Sequence, residues 1–302
     1  MRKSVVISVM FFFCLVCKAG DGGVAMPFLR IGQNPVAVST GGAHLASLSS
    51  AGLFSNPAMM TFSGEKGNVS LGWNGWQADA TNYLNLSGGM CFKQRFSVTL
   101  GASYGLKSPY EVTSGISPVS ENFRPSDYLF GVGAGIKFGK HLAFGLNLKY
   151  AGQTLFEDAK IGTVAVDIFA STHFKDFSIT LGVNDLGGKV AVQKNSSTKS
   201  SLPSSIDLGL GWNHTVKSVH NLEILCDAGY CFHKEFHLGV GAAYSWNRMV
   251  SARCGYHYGK LIPSYGSVGI GGCLKGVKLD LAYLFGSKIL KNSFAVSLGY
   301  SF

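Results

Sequence analysis

The sequence predicts an all-β protein: a transmembrane antiparallel β-barrel of about fourteen strands with an N-terminal plug segment in its lumen. Three observations lead to this prediction. From Asn68 onward, apolar residues alternate with small or polar ones. The connections between these stretches are short and long in alternation. The segment before Asn68 shows no such alternation of apolar and polar residues. The 302 residues include 40 glycines and only 14% charged side chains, which suits strands with one apolar face.

The first residues have the pattern of a secretory signal peptide. Met1–Lys3 carries positive charge, and Val5–Val16 is an apolar run. A helix that spans a membrane takes about 20 apolar residues, so this run is too short for one. We therefore predict a signal peptide over residues 1–19, a plug over 20–66 and a barrel over 67–302, placed in a bacterial outer membrane.

The predicted strands follow one rule, which is clearest in the last of them. Over residues 293–302, bulky apolar side chains occupy every even position and small ones every odd position. Side chains alternate faces along a strand, so one face is apolar and the other nearly without bulk. Turn residues delimit about fourteen such strands: 67–75, 80–92, 95–106, 126–138, 141–152, 159–174, 176–187, 203–213, 219–232, 235–246, 249–259, 264–274, 277–286 and 292–302.

The connections between strands favour a membrane barrel, because such barrels have short turns at one end and longer loops at the other. The predicted short turns are Lys93-Gln94, Gly139-Lys140, Lys175, Asn247-Arg248 and Lys275-Gly276. The predicted long loops are Lys107–Pro125, Gln153–Asp158, Gly188–Leu202 and Ser287–Lys291. Two connections depart from the rule: His214–Ser218 is longer than expected, and His233-Lys234 is shorter.

A soluble β-sandwich or propeller is the alternative fold. Its inward face would need bulky side chains to fill a core, with polar residues outside. Here the bulky face continues through all strands, and the other face carries glycine, serine, alanine, asparagine and charged residues. Lipid outside and a lumen inside account for this distribution, so outer-membrane lipid is an expected partner.

Strand parity places a set of polar side chains on the lumen face. They predict a lumen polar network consisting of Lys149, Asp167, Asp207, Glu223, Asp227, His237, Arg253, His257 and Asp280. Buried charges need partners, so we interpret the network as salt bridges that brace barrel and plug. A polar conduit or a ligand-holding patch is the alternative interpretation.

Other kinds of site have little support in the sequence. Five cysteines follow the signal peptide, an odd number without a CxxC motif, so we expect neither a disulfide framework nor a metal site. The glycines of Gly131–Gly135 lie in an alternating strand with no helix after them, which argues against a nucleotide loop. Basic residues are scattered, so nucleic acid is not an expected partner. We expect no catalytic residues, no cofactor and no enzyme activity.

The predicted plug is centred on Phe28–Phe62, the one long segment after the signal peptide without alternation. Gly41, Gly42 and Ala43 permit close backbone approach, and the small residues of 43–52 suit a short helix or turn. Asn56, Pro57 and Ala58 would then fix the bend into the first strand. The inward faces of the strands are too small to fill the lumen of so wide a barrel, so a plug is expected there.

The same segment resembles the N-terminal signature of the PorV/PorQ family, within the FadL-like outer-membrane barrels. The resemblance rests on Phe28–Gly32, on Gly41-Gly42-Ala43 and on Asn56-Pro57-Ala58, followed by the alternating strands. It implies an accessory barrel of type IX secretion that binds cargo C-terminal domains, the translocon or the attachment machinery through its extracellular loops.

Lys107–Pro125 is the loop we select for such a partner, because it is long and carries Tyr110, Phe123 and Arg124. Aromatic and arginine side chains are the usual anchors of protein interfaces.

A second hypothesis is a FadL-like channel for hydrophobic small molecules. It requires an apolar pocket near the outer loops and a plug that moves. Phe123, Leu129, Leu155 and Phe156 are candidates for that pocket. A structural barrel without transport is the third hypothesis.

Overall fold

The computed structural model describes residues 23–49, 55–114, 117–156, 159–191 and 199–302. The predicted signal peptide and part of the predicted plug, residues 50–54, lie outside the described residues.

Fourteen strands form one closed antiparallel barrel, as predicted. Neighbours along the chain pair with each other, and β1 closes the barrel against β16, with Asn68 opposite Ser301. Two further strands, β4 and β5, pair as a separate hairpin. The strands are β1 Gly67–Trp76, β2 Thr81–Phe92, β3 Phe96–Leu106, β4 Tyr110–Ser114, β5 Ser117–Phe123, β6 Ser126–Phe138, β7 Leu142–Phe156, β8 Ala159–Phe174, β9 Phe177–Gly187, β10 Ser205–Val216, β11 His220–Cys231, β12 Glu235–Trp246, β13 Val250–Tyr258, β14 Tyr265–Leu274, β15 Val277–Phe285 and β16 Ser293–Ser301.

The outer surface of the barrel is apolar, as strand parity predicts. In β3, Val98 and Leu100 are exposed while Ser97, Thr99 and Ser103 are buried inside. The same division runs through the other barrel strands, so large exposed hydrophobic side chains form a belt around the molecule. Among the described residues, no helix has the length and apolar character needed to cross a membrane.

One end of the barrel, the turn end, has connections of two or three residues. The turn that was expected to be longer, His214–Ser218, belongs to the same class, because β10 continues to Val216 and pairs with His220. Lys217 and Ser218 make the turn, each with a positive φ. Hairpin turns of this kind match the right-handed twist of the strands that they connect.

The other end, the loop end, differs from prediction in two places. The loop Lys107–Pro125 contains the β4–β5 hairpin. Most of the predicted loop Gln153–Asp158 is strand, because β7 extends to Phe156 and continues its pairing with β8.

Residues 23–49 and 55–66, the N-terminal segment, run along the inside of the barrel. The amide of Ala25 donates to the Ser201 carbonyl at the loop end. Near the turn end, the Ser97 hydroxyl donates to the Pro57 carbonyl at 2.6 Å. A 3-10 helix (Pro27–Arg30) and two short helices, α1 (Pro35–Ser39) and α2 (Pro57–Met60), lie along this path.

Local sequence explains where the two short helices begin. Each has proline in its first turn, where the missing amide hydrogen is not needed. Asn34 and Asn56 precede them and accept the amide hydrogens of Val36 and Ala58 at 2.8 and 3.0 Å. The described residues of 43–52, where a helix or turn was expected, form turns without a helix.

Candidate functional site

The N-terminal segment packs on one side of the barrel through a set of inward glycines, here called the glycine wall. These glycines belong to β10, β12, β13 and β14: Gly209, Gly239, Gly241, Gly255 and Gly269. A Cβ atom on Gly255 would lie 2.2 Å from the backbone nitrogen of Gly41. One on Gly269 would lie 2.4 Å from the Cβ of Ser39. The absence of side chains therefore lets two backbones approach each other closely.

The motif Gly41-Gly42-Ala43 lies directly on the glycine wall. Gly41 and Gly42 have φ angles of 66° and 81°, a left-handed conformation that favours glycine. The amide of Gly41 also donates to the Ser267 hydroxyl at 3.2 Å. The glycines of the segment and of the wall thus serve the same contact.

Two carboxylates on β11 hold the next part of the segment. The Oδ2 atom of Asp227 accepts the amides of His44 and Leu45 at 2.7 and 2.9 Å. Glu223 accepts hydroxyl hydrogens from Ser47 and Ser49 at 2.9 and 3.2 Å. Sequence parity had placed both carboxylates in the lumen, and here they face backbone and hydroxyl donors of the N-terminal segment.

Asn56 and Pro57 connect α2 to the opposite side of the barrel. The side-chain amide of Asn56 donates to the Ser171 hydroxyl at 2.8 Å and to the Leu45 carbonyl at 3.1 Å. Gly135 lies against Pro57, whose carbonyl oxygen would be 2.5 Å from an added Cβ. Ala58 is completely buried. This part of the predicted plug motif joins two stretches of the N-terminal segment to the strand wall.

A cavity of about 170 Å³ lies between the N-terminal segment and the strands, towards the loop end. Its apolar lining residues include Trp76, Leu129, Phe169, Ile262 and Tyr265. Leu29 and Ile31 of the N-terminal segment also line it. Leu129 is the residue of the predicted apolar pocket that the structure places here; Phe123, Leu155 and Phe156 are not part of this lining.

Part of the cavity lining, here called the charged wall, carries buried charges on β7 to β10: Lys149, Asp167, Asp185 and Asp207. The Lys149 ammonium lies 2.8 Å from Asp167 and 2.5 Å from Asp185. All three side chains are at least nine-tenths buried. One cation is therefore shared between two carboxylates.

Asp185 did not appear among the predicted lumen residues, because strand parity places it outside. The β8–β9 register shifts between Val166 and Ile168, so that Asn184 and Asp185 together face Asp167. Asp185 adopts a φ of 56° at this β-bulge, and its side chain turns inward. The sequence does contain a signal for this inward turn: Asp185 is a charged residue at a position that strand parity directs towards lipid.

Arg30 connects the N-terminal segment to Asp207, His237 and Cys231. Its guanidinium lies 3.9 Å from Asp207 and donates to the Cys231 sulfur at 3.3 Å. His237 Nε2 lies 2.6 Å from Asp207, and its Nδ1 lies 3.8 Å from Cys231. Asn184 donates to Asp207 at 2.6 Å. The sequence had suggested Asp207 and His237 but neither Arg30 nor Cys231.

The remaining predicted lumen residues are Arg253, Asp280 and His257. Arg253 and Asp280 pair at 2.8 Å beside the glycine wall, outside the cavity lining. His257 lines the cavity and stacks on Tyr265 with ring centroids 5.0 Å apart. The described residues contain no group of three or more histidine, cysteine or acidic side chains that could hold a metal ion.

The predicted partner loop is at the loop end, away from these groups. Tyr110 pairs with Phe123 across the β4–β5 hairpin. Arg124 follows the hairpin and is exposed. These residues therefore lie at one end of a hairpin, separate from the cavity.

No family model matches the chain, and no curated protein matches it. Solved structures, by contrast, match the chain over most of its length. The monoaromatic hydrocarbon channel CymD has a TM-score of 0.64 at 13% identity, over 90% of this chain and 97% of that one. The Pseudomonas putida toluene transporter TodX has a TM-score of 0.60 at 14% identity, over 89% and 98%. A Pseudomonas aeruginosa FadL homologue has a TM-score of 0.52 at 10% identity, over 89% and 98%.

These likenesses concern the fold alone, a closed β-barrel that matches nearly the whole of each of these structures. The chain is a bacterial outer-membrane β-barrel. Its apolar belt is the surface that such barrels present to lipid.

Proposed function

We propose that this barrel is an outer-membrane channel for hydrophobic small molecules. The observation that carries the proposal is the cavity of about 170 Å³ between the N-terminal segment and the strands. An apolar protein cavity of about 150 Å³ can hold benzene, so one aromatic ring is a reasonable occupant. Sites for small molecules are generally concave, with apolar walls and polar groups that fix the ligand's orientation. This cavity combines apolar side chains such as Trp76 and Phe169 with the charged wall.

The structural neighbours support the same proposal. CymD is described as a monoaromatic hydrocarbon channel and TodX as a toluene transporter. The comparisons favour this channel hypothesis over the secretion hypothesis, which gains no support from them. The PorV/PorQ resemblance and a partner at Tyr110, Phe123 and Arg124 stay predictions. We propose no catalytic role for the chain.

We also propose that the N-terminal segment acts as the plug of this channel. It runs from the loop end to the turn end of the lumen and is held by hydrogen bonds and close backbone contacts. A molecule moving from the cavity towards the turn end would have to pass beside it. Asn56 with its partners Ser171 and Thr180 lies on that route, so we expect movement around α2 rather than along the glycine wall.

Uptake of radiolabelled toluene tests the proposal. The purified full-length barrel is placed in liposomes that contain a hydrophobic trap, and uptake is compared with liposomes that contain an outer-membrane barrel of another fold. We expect uptake to be faster with this protein and to saturate with toluene concentration. Equal, non-saturating uptake in the two preparations would show that the barrel is no channel for such molecules.

A further inference from the structure

We propose that the cavity selects hydrophobic molecules with a positively charged amine and rejects a carboxylate on the same apolar tail. This inference rests on the proposed channel function and names its substrate class. Three features carry it: the charge balance of the lining, one buried carboxylate oxygen without a partner, and apolar side chains that line the same cavity.

The described residues that line the cavity have an excess of negative charge. The lining has two permanent cations, Arg30 and Lys149. Its carboxylates number five: Asp167, Asp185, Asp207, Asp227 and Glu235. Three histidines, His44, His237 and His257, also line the cavity. A proton on any one of them reduces this excess and does not cancel it. A cleft with one sign of charge and apolar walls concentrates the opposite charge, so a carboxylate ligand is disfavoured here.

The pairing of these groups shows where the excess lies. Lys149 forms ion pairs with both Asp167 and Asp185. Arg30 and His237 both contact Asp207. Asp227 and Glu235, by contrast, have no ion pair with a lysine or arginine among the described residues. Glu235 accepts the backbone amides of Lys260 and Leu261 at the loop end.

Asp227 provides the second feature. It is only 7% exposed, and its Oδ2 atom accepts two backbone amides of the N-terminal segment. Its Oδ1 atom is buried and has no hydrogen-bond partner among the described residues. A buried acceptor without a donor is costly. Asp227 lines the cavity, so an ammonium bound there complements its charge. With three donors and no acceptor, the ammonium can also supply the missing hydrogen bond once the carboxylate turns towards it.

The position of Asp207 strengthens this argument. Asp207 lies opposite Gly229, and Asp227 lies opposite Gly209, so the two carboxylates are diagonal neighbours on the same face of β10 and β11. Such neighbours are about 7–8 Å apart. One ammonium near Asp227 is therefore within the field of both.

The apolar surface provides the third feature. Trp76, Leu129 and Phe169 line the same cavity as Asp227. An aromatic ring against these side chains leaves a short polar head group to reach the carboxylates. An unsubstituted hydrocarbon would leave Asp227 Oδ1 without a donor.

Gln33 offers a hydrogen-bond donor to an uncharged ligand, which is the alternative to selection by charge. Its Oε1 atom accepts from Ser103 at 3.1 Å, while its buried Nε2 atom has no partner among the described residues. A hydroxyl could accept from this nitrogen. An alcohol with the same tail therefore separates selection by charge from selection by hydrogen bonding.

The experiment uses four probes with a common phenylethyl tail: 2-phenylethylamine, 2-phenylethanol, 3-phenylpropanoate and ethylbenzene. Dissociation constants are measured by calorimetry on the full-length barrel in detergent. We expect the amine to bind about tenfold or more tightly than the propanoate and more tightly than the alcohol, because hydrogen bonds to charged groups exceed neutral ones. Equal affinities for the amine and propanoate, or for the amine and alcohol, would overturn the inference.

Substitutions of single carboxylates identify which of them are responsible for the amine preference. D227N should weaken binding of the amine about tenfold and leave the alcohol within about twofold. D185N, which leaves Lys149 paired with Asp167, should weaken the amine in the same direction and provides a second route if D227N does not fold. D280N removes a lumen carboxylate outside the cavity lining and should leave the amine unchanged. Heat-modifiable gel mobility verifies that each variant is folded.

The outcomes separate the two proposals. If ethylbenzene binds and D227N and D185N have no effect on the amine, the channel proposal stands and the amine preference is wrong. If none of the four probes binds, the channel proposal itself is wrong.

Discussion

The glycine wall and the charged wall belong to the same barrel but differ in how they contact the N-terminal segment. At the glycine wall, Gly255 and Gly269 leave no room for a side chain, because the N-terminal segment lies directly against them. At the charged wall, Lys149, Asp167 and Asp185 line a cavity, and the segment contacts this wall through Arg30 and Asp207. The segment therefore packs backbone against backbone at the glycine wall and leaves a cavity beside the charged wall. The difference suggests that ligands use the charged side while the glycine side holds the segment.

The largest effect is expected from filling the glycine wall. In G255V, the new side chain would meet the backbone of Thr40 and Gly41, so the N-terminal segment should leave its site or the barrel should fail to assemble. Limited proteolysis of residues 23–66 measures this directly. G266V is the matched control, because a Cβ at Gly266 has nothing within 4 Å. Equal protection of the segment in the two variants would contradict the close contact.

The next effect concerns the charged wall. K149M would leave Asp167 and Asp185 buried together without a cation, which should cost about 3–5 kcal/mol of stability. The midpoint of heat-modifiable mobility reports the loss. K278M is the control, since its pair with Glu65 is about one-third exposed and should contribute about 1 kcal/mol or less. If the two variants melt alike, the charged wall is not a buried ion cluster.

A smaller and more local effect is expected at β11, where Glu223 holds the segment. E223A removes the acceptor of the Ser47 and Ser49 hydroxyls, worth about 1–3 kcal/mol locally. Hydrogen exchange should accelerate for residues 43–49 while the barrel strands keep their protection. Faster exchange throughout the barrel would mean instead that Glu223 supports the whole fold.

The smallest effect is expected at the loop end. Arg124 is exposed and lies apart from both walls. R124A should therefore leave toluene uptake within about twofold of the unaltered protein, as surface substitutions generally have small effects. A large loss of uptake would place the hairpin loop in the pathway and weaken the proposal that molecules pass through the cavity.

The strands could be predicted from the sequence because their side chains repeat with period two and their turns carry recognisable residues. Strand β6, for example, has the predicted bounds Ser126–Phe138. The same parity indicates Asp207 and Asp227 as lumen residues, and both contact groups inside the barrel.

Parity fails where the backbone leaves the regular ladder. Asp185 faces inward only because a bulge adds one residue to β9, and its local sequence does not reveal the pairing with β8. Arg30 is missed for a different reason. It lies in a segment without periodicity, and its partners Asp207 and Cys231 are about 200 residues away, at separations set by the closed barrel.

Uptake through a barrel with a filled cavity tests the central claim most directly. Leu129 lines the cavity, and its neighbour Phe130 faces outward on the same strand. In liposomes containing folded protein, L129W should reduce saturable toluene uptake strongly, while F130W should leave it unchanged. Unchanged uptake in L129W, or equal losses in the two variants, would contradict passage through the cavity.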